Sequence, residues 1–296
     1  MTASALAAKK LIAVSDLIRL PRQQGTLLVL WPTLWSLFIA SGGRPAPKHL
    51  VIFVLGTFLM RSAGCAINDI ADRDFDPHVE RTKSRPLANG RLSVREALFV
   101  FTALSALAFV LVLFLNRFTV MLSFAGILLA SVYPFVKRVS SLPQAVLGMA
   151  FGWGAVMAWA AVHNTIGAVA LLIFGANICW SMAYDTIYAL MDKEDDMKIG
   201  VKSTALLFGR GVYAALTLLY IGAFALLALA GYKGGLGGVY FLGLLVSLAL
   251  FLLVVRMIKK NPTRRAAFAG FLANAAIGGI IFAAIVIDMN LYPGVS

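Results

Sequence analysis

Acidic side chains are scarce in this chain. Its 296 residues carry 13 aspartates and glutamates against 26 lysines and arginines, and charged residues make up 13% of the total while apolar residues make up 60%. Soluble globular domains carry about 25% charged residues, so the composition excludes that class and indicates an integral membrane protein. Cysteine is rarer still. Cys65 and Cys179 both lie in apolar segments, where small thiols pack as apolar groups, and this excludes a disulfide framework. His78 and His163 are lone histidines without ligand spacing and read as surface or loop residues. The net charge of +13 is spread over short loops with no nucleic-acid-binding module, which excludes nucleic acid as the partner.

Apolar sequence is what the chain has in abundance. It comes in runs of about 20 residues, each long enough to cross a ~30 Å hydrocarbon core as a helix. Read between loop signals, the runs predict nine helices, roughly 25–42, 49–68, 96–115, 118–135, 142–162, 165–188, 211–230, 238–257 and 266–287. The expected fold is all-α: a polytopic bundle forming one membrane domain over residues 25–296, with membrane lipid as its surroundings. Residues 1–24 stand apart. Lys9 and Lys10 precede an interrupted pattern of Leu11, Ile12, Val14, Leu17, Ile18 and Leu20, which suits an amphipathic helix on the membrane surface rather than a cleaved signal.

The basic residues orient this bundle. Of the 26, Arg44, Lys48, Arg117 and Lys233 fall in loops on one side and Arg61 lies within a helix; all the others fall in segments on the side of the N-terminus. Positive residues mark the cytoplasmic side, so the N-terminus is expected inside and the C-terminus outside.

The few acidic residues are concentrated on the same side. The stretch 67-INDIADRDFDPHVERTKSRPLANGR-91 follows the second helix, and 184-YDTIYALMDKEDDMKIGVKST-204 follows the sixth. Each holds an Asp-x-x-x-Asp pair, Asp72/Asp76 and Asp192/Asp196. Residues four apart on a helix face the same way, about 5–6 Å apart at Cβ, and two carboxylates so placed call for a cation. Oxygen ligands without a His or Cys cluster favour Mg²⁺, which completes its shell with water and substrate phosphate. Arg81, Lys83, Arg85 and Lys202 supply donors that would neutralise a diphosphate.

Arg61 sits about two turns before Asn68 in an otherwise apolar helix. A charge there costs a few kcal/mol unless it faces a polar cavity and has a partner, and Asn68 and Asp69 are placed to line the same cavity. Tyr133, Phe135, Tyr184 and Tyr188 lie near the helix ends beside the charged clusters, where aromatic faces would stabilise a cation. The tryptophans read as interface anchors or packing, and Gly148, Gly152 and Gly154 as points of close helix contact.

These residues resemble a known family. The motif Asn-Asp-x-x-Asp-x-x-x-Asp at 68–76, together with 30-LWPTLWSL-37, 61-RSAGCAINDIADRDFDPHVERTKSRPL-87, 133-YPFVKR-138, 143-PQAVLGMAFGW-153 and 184-YDTIYALMDKEDDMKIGVKSTA-205, is similar to the intramembrane aromatic prenyltransferases of the UbiA superfamily. The stretches 30–37 and 184–205 point to the branch acting on 4-hydroxybenzoate in ubiquinone biosynthesis. The resemblance implies a nine-helix bundle around a central cavity, capped on the cytoplasmic side, in a bacterial inner membrane. It implies a first Mg²⁺ and diphosphate site of Asn68, Asp72 and Asp76 and a second of Asp192 and Asp196. Arg81 and Arg85 would hold diphosphate oxygens, Lys202 would join them, and Asp69 and Asp185 would support the site. The substrates implied are polyprenyl diphosphate and 4-hydroxybenzoate. The acceptor's carboxylate calls for a basic anchor: Arg61 is the first candidate, because its place in an apolar helix needs a compensating anion, and Arg138 the second. Another aromatic acceptor, such as a naphthoate or homogentisate, is the nearest alternative, and a cation-coupled transporter the alternative from another class.

Overall fold

Proline opens two of the long helices, at Pro47 and Pro143, where its missing N–H is no loss. A capping box opens another: the Ser93 side chain accepts from the Glu96 N–H, and the Glu96 carboxylate accepts from the Ser93 N–H. The computed structural model describes residues 3–136, 138–193, 197–198, 200 and 202–291, and every regular element among them is helical. A first helix, α1 (Ala3–Leu17), precedes α2 (Gln24–Ala40), α3 (Pro47–Asp72), α4 (Val94–Val112), α5 (Arg117–Val136), α6 (Pro143–His163), α7 (Ala168–Ala189), α8 (Val212–Lys233), α9 (Gly238–Lys260) and α10 (Arg264–Leu291). A one-turn helix, Thr204–Leu207, lies between α7 and α8.

The helices α3 to α10 are each long and apolar enough to span a membrane. With 17 residues, α2 is the shortest of the bundle; at 1.5 Å per residue it covers about 25 Å, the lower end of what spanning needs. The chain is thus a multi-pass membrane protein, and the nine expected spans correspond to α2–α10.

The two halves of the bundle differ. Helices α7–α10 pack with α2 into a continuous apolar core containing Trp35, Ile173, Trp180, Leu216, Phe251 and Ile281. Polar groups inside it pair with one another: the Trp180 indole N–H and the Tyr220 hydroxyl both donate to Asn274 Oδ1, at 3.0 and 2.9 Å. Helix α6 is the seam, packed against α2, α5 and α7. At Gly148 it approaches α7 so closely that a Cβ would lie 2.8 Å from the Ile178 Cα, the close contact expected of that glycine. Helices α2–α6 line most of a cavity, completed by the ends of α7 and α10, beside a smaller apolar cluster of Leu34, Leu37, Phe53, Ala158 and Ala161.

At one end of the bundle, the loop after α3, the loop after α7 and α1 lie together. Helix α1 packs on α3 and α4 through Ala13 and Leu17, which are buried with Ala66, Leu92 and Ala97. Ion pairs reinforce the contact, Lys10–Glu96 at 2.7 Å and Asp16–Arg91 at 2.6 Å.

Candidate active site

The cavity has a volume of about 1270 Å³. Its deeper wall is apolar, formed by side chains such as Phe53, Met60, Phe101, Ile127, Phe151 and Met157. Its mouth is charged, with Arg19, Arg61, Asp72, Asp76, Arg81, Arg85, Asp185, Asp192 and Lys202 on the lining.

The first acidic motif does not continue as one helix. Helix α3 ends at Asp72, and Asp76 opens a separate 3₁₀ turn, Asp76–His78. The expected i,i+4 geometry is therefore not what brings the pair together; Arg85 is. Its Nη1 lies 2.9 Å from Asp76, 3.3 Å from Asp69 and 3.8 Å from Asp72. Asp69 also accepts from Arg19 Nη2 at 2.6 Å and is fully buried. Three carboxylates thus meet two guanidiniums. Burial pushes the Asp76 carboxyl above its ordinary range against the pull of Arg85. Burial also opposes the Arg85 charge, but Asp69 and Asp76 outweigh it and hold the guanidinium protonated. Asn68 donates to Asp72 Oδ2 at 3.1 Å and accepts from the Tyr133 hydroxyl at 3.4 Å.

Across the mouth, Arg81 reaches the second acidic segment. Its Nε lies 3.0 Å and its Nη2 2.5 Å from Asp192 Oδ2, and its Nη1 donates to the Tyr188 hydroxyl at 2.6 Å. The guanidinium also covers the Tyr188 ring, 4.6 Å from its centroid. Burial works against this charge, and Tyr188 and Asp192 more than compensate, raising the Arg81 pKa. Asp196, the other expected ligand of the second motif, lies outside the described residues.

The remaining expected residues divide. Arg61 lines the cavity and donates to the Ile18 carbonyl at 3.2 Å; a Cβ on Gly25 would stand 2.7 Å from its Nη2, so the glycine gives it room. Lys202 lines the mouth and donates to the Val139 carbonyl at 3.3 Å. Tyr184 lines the cavity with its hydroxyl 2.9 Å from that of Ser181. Arg138 is not on the lining: it donates to the Ala71 carbonyl at the end of α3 and lies over the rings of Phe75 and Phe135. Arg19 was read from the sequence only as an orientation charge, yet it reaches into the cluster. Nothing in the local spacing marks it, because its partner lies 50 residues away.

An apolar cavity with a charged mouth, walled by membrane-spanning helices, defines the class of intramembrane proteins that handle amphiphiles with an anionic head. The chain belongs to the UbiA prenyltransferase family, whose model matches residues 29–275. It is 50% identical over 277 residues to a 4-hydroxybenzoate octaprenyltransferase from Nitrosococcus oceani, covering 94% of this chain and 97% of that one. Its fold is similar to the apo structure of a UbiA homolog from Aeropyrum pernix, with a TM-score of 0.76 and 29% identity over 90% of this chain and 99% of that one. It is also similar in fold to a UbiA homolog from Archaeoglobus fulgidus bound to GPP and Mg²⁺, with a TM-score of 0.64 and 18% identity over 92% and 99% of the two chains.

Proposed function

We infer that the protein transfers a polyprenyl group from polyprenyl diphosphate to carbon 3 of 4-hydroxybenzoate, releasing diphosphate, in the ubiquinone pathway of a bacterial inner membrane. The observation that carries this reading is the joining of a charged mouth to an apolar cavity of about 1270 Å³, which matches a diphosphate head on a long hydrocarbon tail. The 50% identity to a 4-hydroxybenzoate octaprenyltransferase over nearly all of both chains supports the choice of acceptor.

The donor set fits Mg²⁺. Asn68, Asp72 and Asp76 offer oxygen ligands on one side of the mouth and Asp192 on the other. Oxygen donors of this kind suit an ion which uses one or two carboxylates and takes the rest of its shell from water and phosphate. Bound there, Mg²⁺ would neutralise charge on the departing diphosphate.

The chain's own residues account for the other steps. Arg81, Arg85 and Lys202 receive diphosphate oxygens at the mouth. The apolar wall keeps water from the allylic cation left at carbon 1 of the chain, and the Tyr188 ring, already under a guanidinium, presents a face suited to positive charge. Tyr184 and Asp185 complete the lining near the reacting carbon. Arg61 anchors the acceptor's carboxylate away from the diphosphate. The phenol hydroxyl enriches the ortho and para carbons, and the para carbon carries the carboxylate, so the ortho carbon attacks and proton loss restores the ring.

The same reading places the charged end in the cytoplasm, the C-terminus outside, and residues 1–24 as an interfacial segment ahead of the membrane domain at 25–296. A transporter would need ionisable groups along a path through the bundle. The buried carboxylate at the opposite end, Asp288, is committed to the start of α9, accepting from the Gly237 and Tyr240 N–H groups at 2.6 and 3.1 Å.

Purified protein incubated with Mg²⁺, octaprenyl diphosphate and 4-hydroxybenzoate should yield a 3-octaprenyl-4-hydroxybenzoate by mass spectrometry and NMR. An O-prenylated or decarboxylated product would overturn the ring-attack mechanism. Product only from a naphthoate or homogentisate would move the acceptor.

A further inference from the structure

Helix α1 ends in a Schellman arrangement. The Arg19 N–H donates to the Asp16 carbonyl at 3.2 Å and the Leu20 N–H to the Ser15 carbonyl at 2.9 Å, with Arg19 at φ 57°. Glycine is the usual residue at this left-handed position, because a Cβ crowds the backbone there. This chain carries arginine instead, and its guanidinium has two engagements. Nη1 turns back to the carbonyls of Asp16 and Leu17, at 2.7 and 3.3 Å, adding a second donor to the Asp16 carbonyl and one to that of Leu17 at the helix end. Nη2 reaches forward to the fully buried Asp69 at 2.6 Å. Stopping the helix requires only the first; the second ties α1 to the diphosphate end of the cavity. Backbone strain kept at such a contact is a reason to look for function.

Asp69 is shared between two arginines. Its Oδ1 lies 2.6 Å from Arg19 Nη2 and 3.3 Å from Arg85 Nη1, and Arg85 continues to Asp76 at 2.9 Å. A buried carboxylate deprived of one cation is left under-compensated and draws harder on the other. We propose that Arg19 is a positioning residue for the prenyl diphosphate: by carrying its share of the Asp69 charge, it keeps Arg85 turned to the cavity mouth. The amino-terminal helix is thereby part of the substrate-binding machinery. This inference rests on the reading of Arg85 as a diphosphate ligand.

Steady-state kinetics of the full chain, with octaprenyl diphosphate and 4-hydroxybenzoate varied separately, test it. Arg19→Gly suits the backbone and removes the guanidinium. It should raise the KM for the diphosphate about tenfold or more, the scale seen when a ligand's supporting partner is lost, with the KM for 4-hydroxybenzoate unchanged. Arg19→Lys, which keeps the charge, should fall between. Adding Asp69→Asn to Arg19→Gly should recover part of the loss, since the unbalanced charge pulling on Arg85 is gone. Lys10→Gln breaks one exposed attachment of α1, the pair with Glu96, which touches neither Asp69 nor Arg85, and should leave both constants unchanged. Thermal unfolding in the same detergent should place Arg19→Gly below the wild type, because the buried Asp69 has lost a cation, and the double variant back toward it.

An unchanged diphosphate KM in Arg19→Gly, an equal rise in Lys10→Gln, or no recovery in the double variant would overturn the proposal. Arg85→Gln separates the two levels. If it leaves the diphosphate KM unchanged, the reading of Arg85 fails and the proposal with it; if it raises that KM while Arg19→Gly does not, the role of Arg19 alone fails.

Discussion

Arg81 grips Asp192 from a loop 111 residues earlier in the chain, with Nε at 3.0 Å and Nη2 at 2.5 Å from one carboxylate oxygen. The contact joins the loop after α3 to the segment after α7 and thereby closes the charged mouth of the cavity. It needs a planar fork, which lysine lacks. Arg81→Lys should therefore lower kcat/KM by roughly ten- to a hundredfold, about 1.4 to 2.7 kcal/mol of transition-state stabilisation, although the charge is retained. Kinetics indistinguishable from wild type would show that charge alone suffices at this position.

Asp72→Asn, Asp76→Asn and Asp192→Asn each remove a charge with little change of shape. Each should reduce turnover by about a hundredfold or more, as loss of a preorganised electrostatic group does, with the protein still inserted and folded. Asp196→Asn should behave alike. Chelation should abolish activity and added Mg²⁺ restore it. A single carboxamide variant with near-normal turnover at saturating Mg²⁺ would remove that residue from the ligand set.

Arg61 lines the cavity and donates to a backbone carbonyl, that of Ile18, which carries no formal charge to oppose an anionic acceptor. Arg61→Gln should raise the KM for 4-hydroxybenzoate about tenfold or more while changing the diphosphate KM little, the pattern of lost binding to one substrate. A rise confined to the diphosphate would reassign Arg61 to the head-group site.

Gly148 is tested by stability rather than activity. The Cβ of any other residue would lie 2.8 Å from the Ile178 Cα, which is backbone and yields only if α6 and α7 separate. Gly148→Val should cost about 1–3 kcal/mol, read as a lower unfolding temperature in detergent. An unchanged temperature would mean the two helices have slack at their contact.

Orientation is checked by labelling. A cysteine placed at Asn89, in the loop after α3, should be protected from an impermeant thiol reagent added to intact cells and react once the membrane is opened. Reaction from outside would invert the topology.

Much of the fold was legible because the bilayer imposes one rule on every span: a segment without water must satisfy its backbone internally, so each apolar run of sufficient length is a helix. The runs read as 49–68 and 266–287 became Pro47–Asp72 and Arg264–Leu291, extended by turns whose polar residues carry no hydropathy signal. The candidate site was legible in part, since carboxylates are conspicuous in a chain with 13 acidic residues. Scarcity marks the two acidic stretches, and the Asp-x-x-x-Asp spacing picks Asp72, Asp76 and Asp192 out of them.

What the sequence could not decide is which charge answers which. Asp72 and Asp76 were read as one helical face, yet the helix stops between them and Arg85, nine residues past Asp76, draws them together. Arg61 is the first candidate for the acceptor's carboxylate on its place in an apolar helix and Arg138 the second, but only the packing of α3 against its neighbours puts one on the cavity lining and the other outside it. Arg19 gave no sequence signal beyond its charge, since the contact to Asp69 depends on how α1 folds back over α3. Helical periodicity and hydropathy act over a few neighbouring residues and are written in local sequence. Ion pairing at the cavity mouth acts through space between segments 50 and 111 residues apart, so it exists only once the bundle has closed.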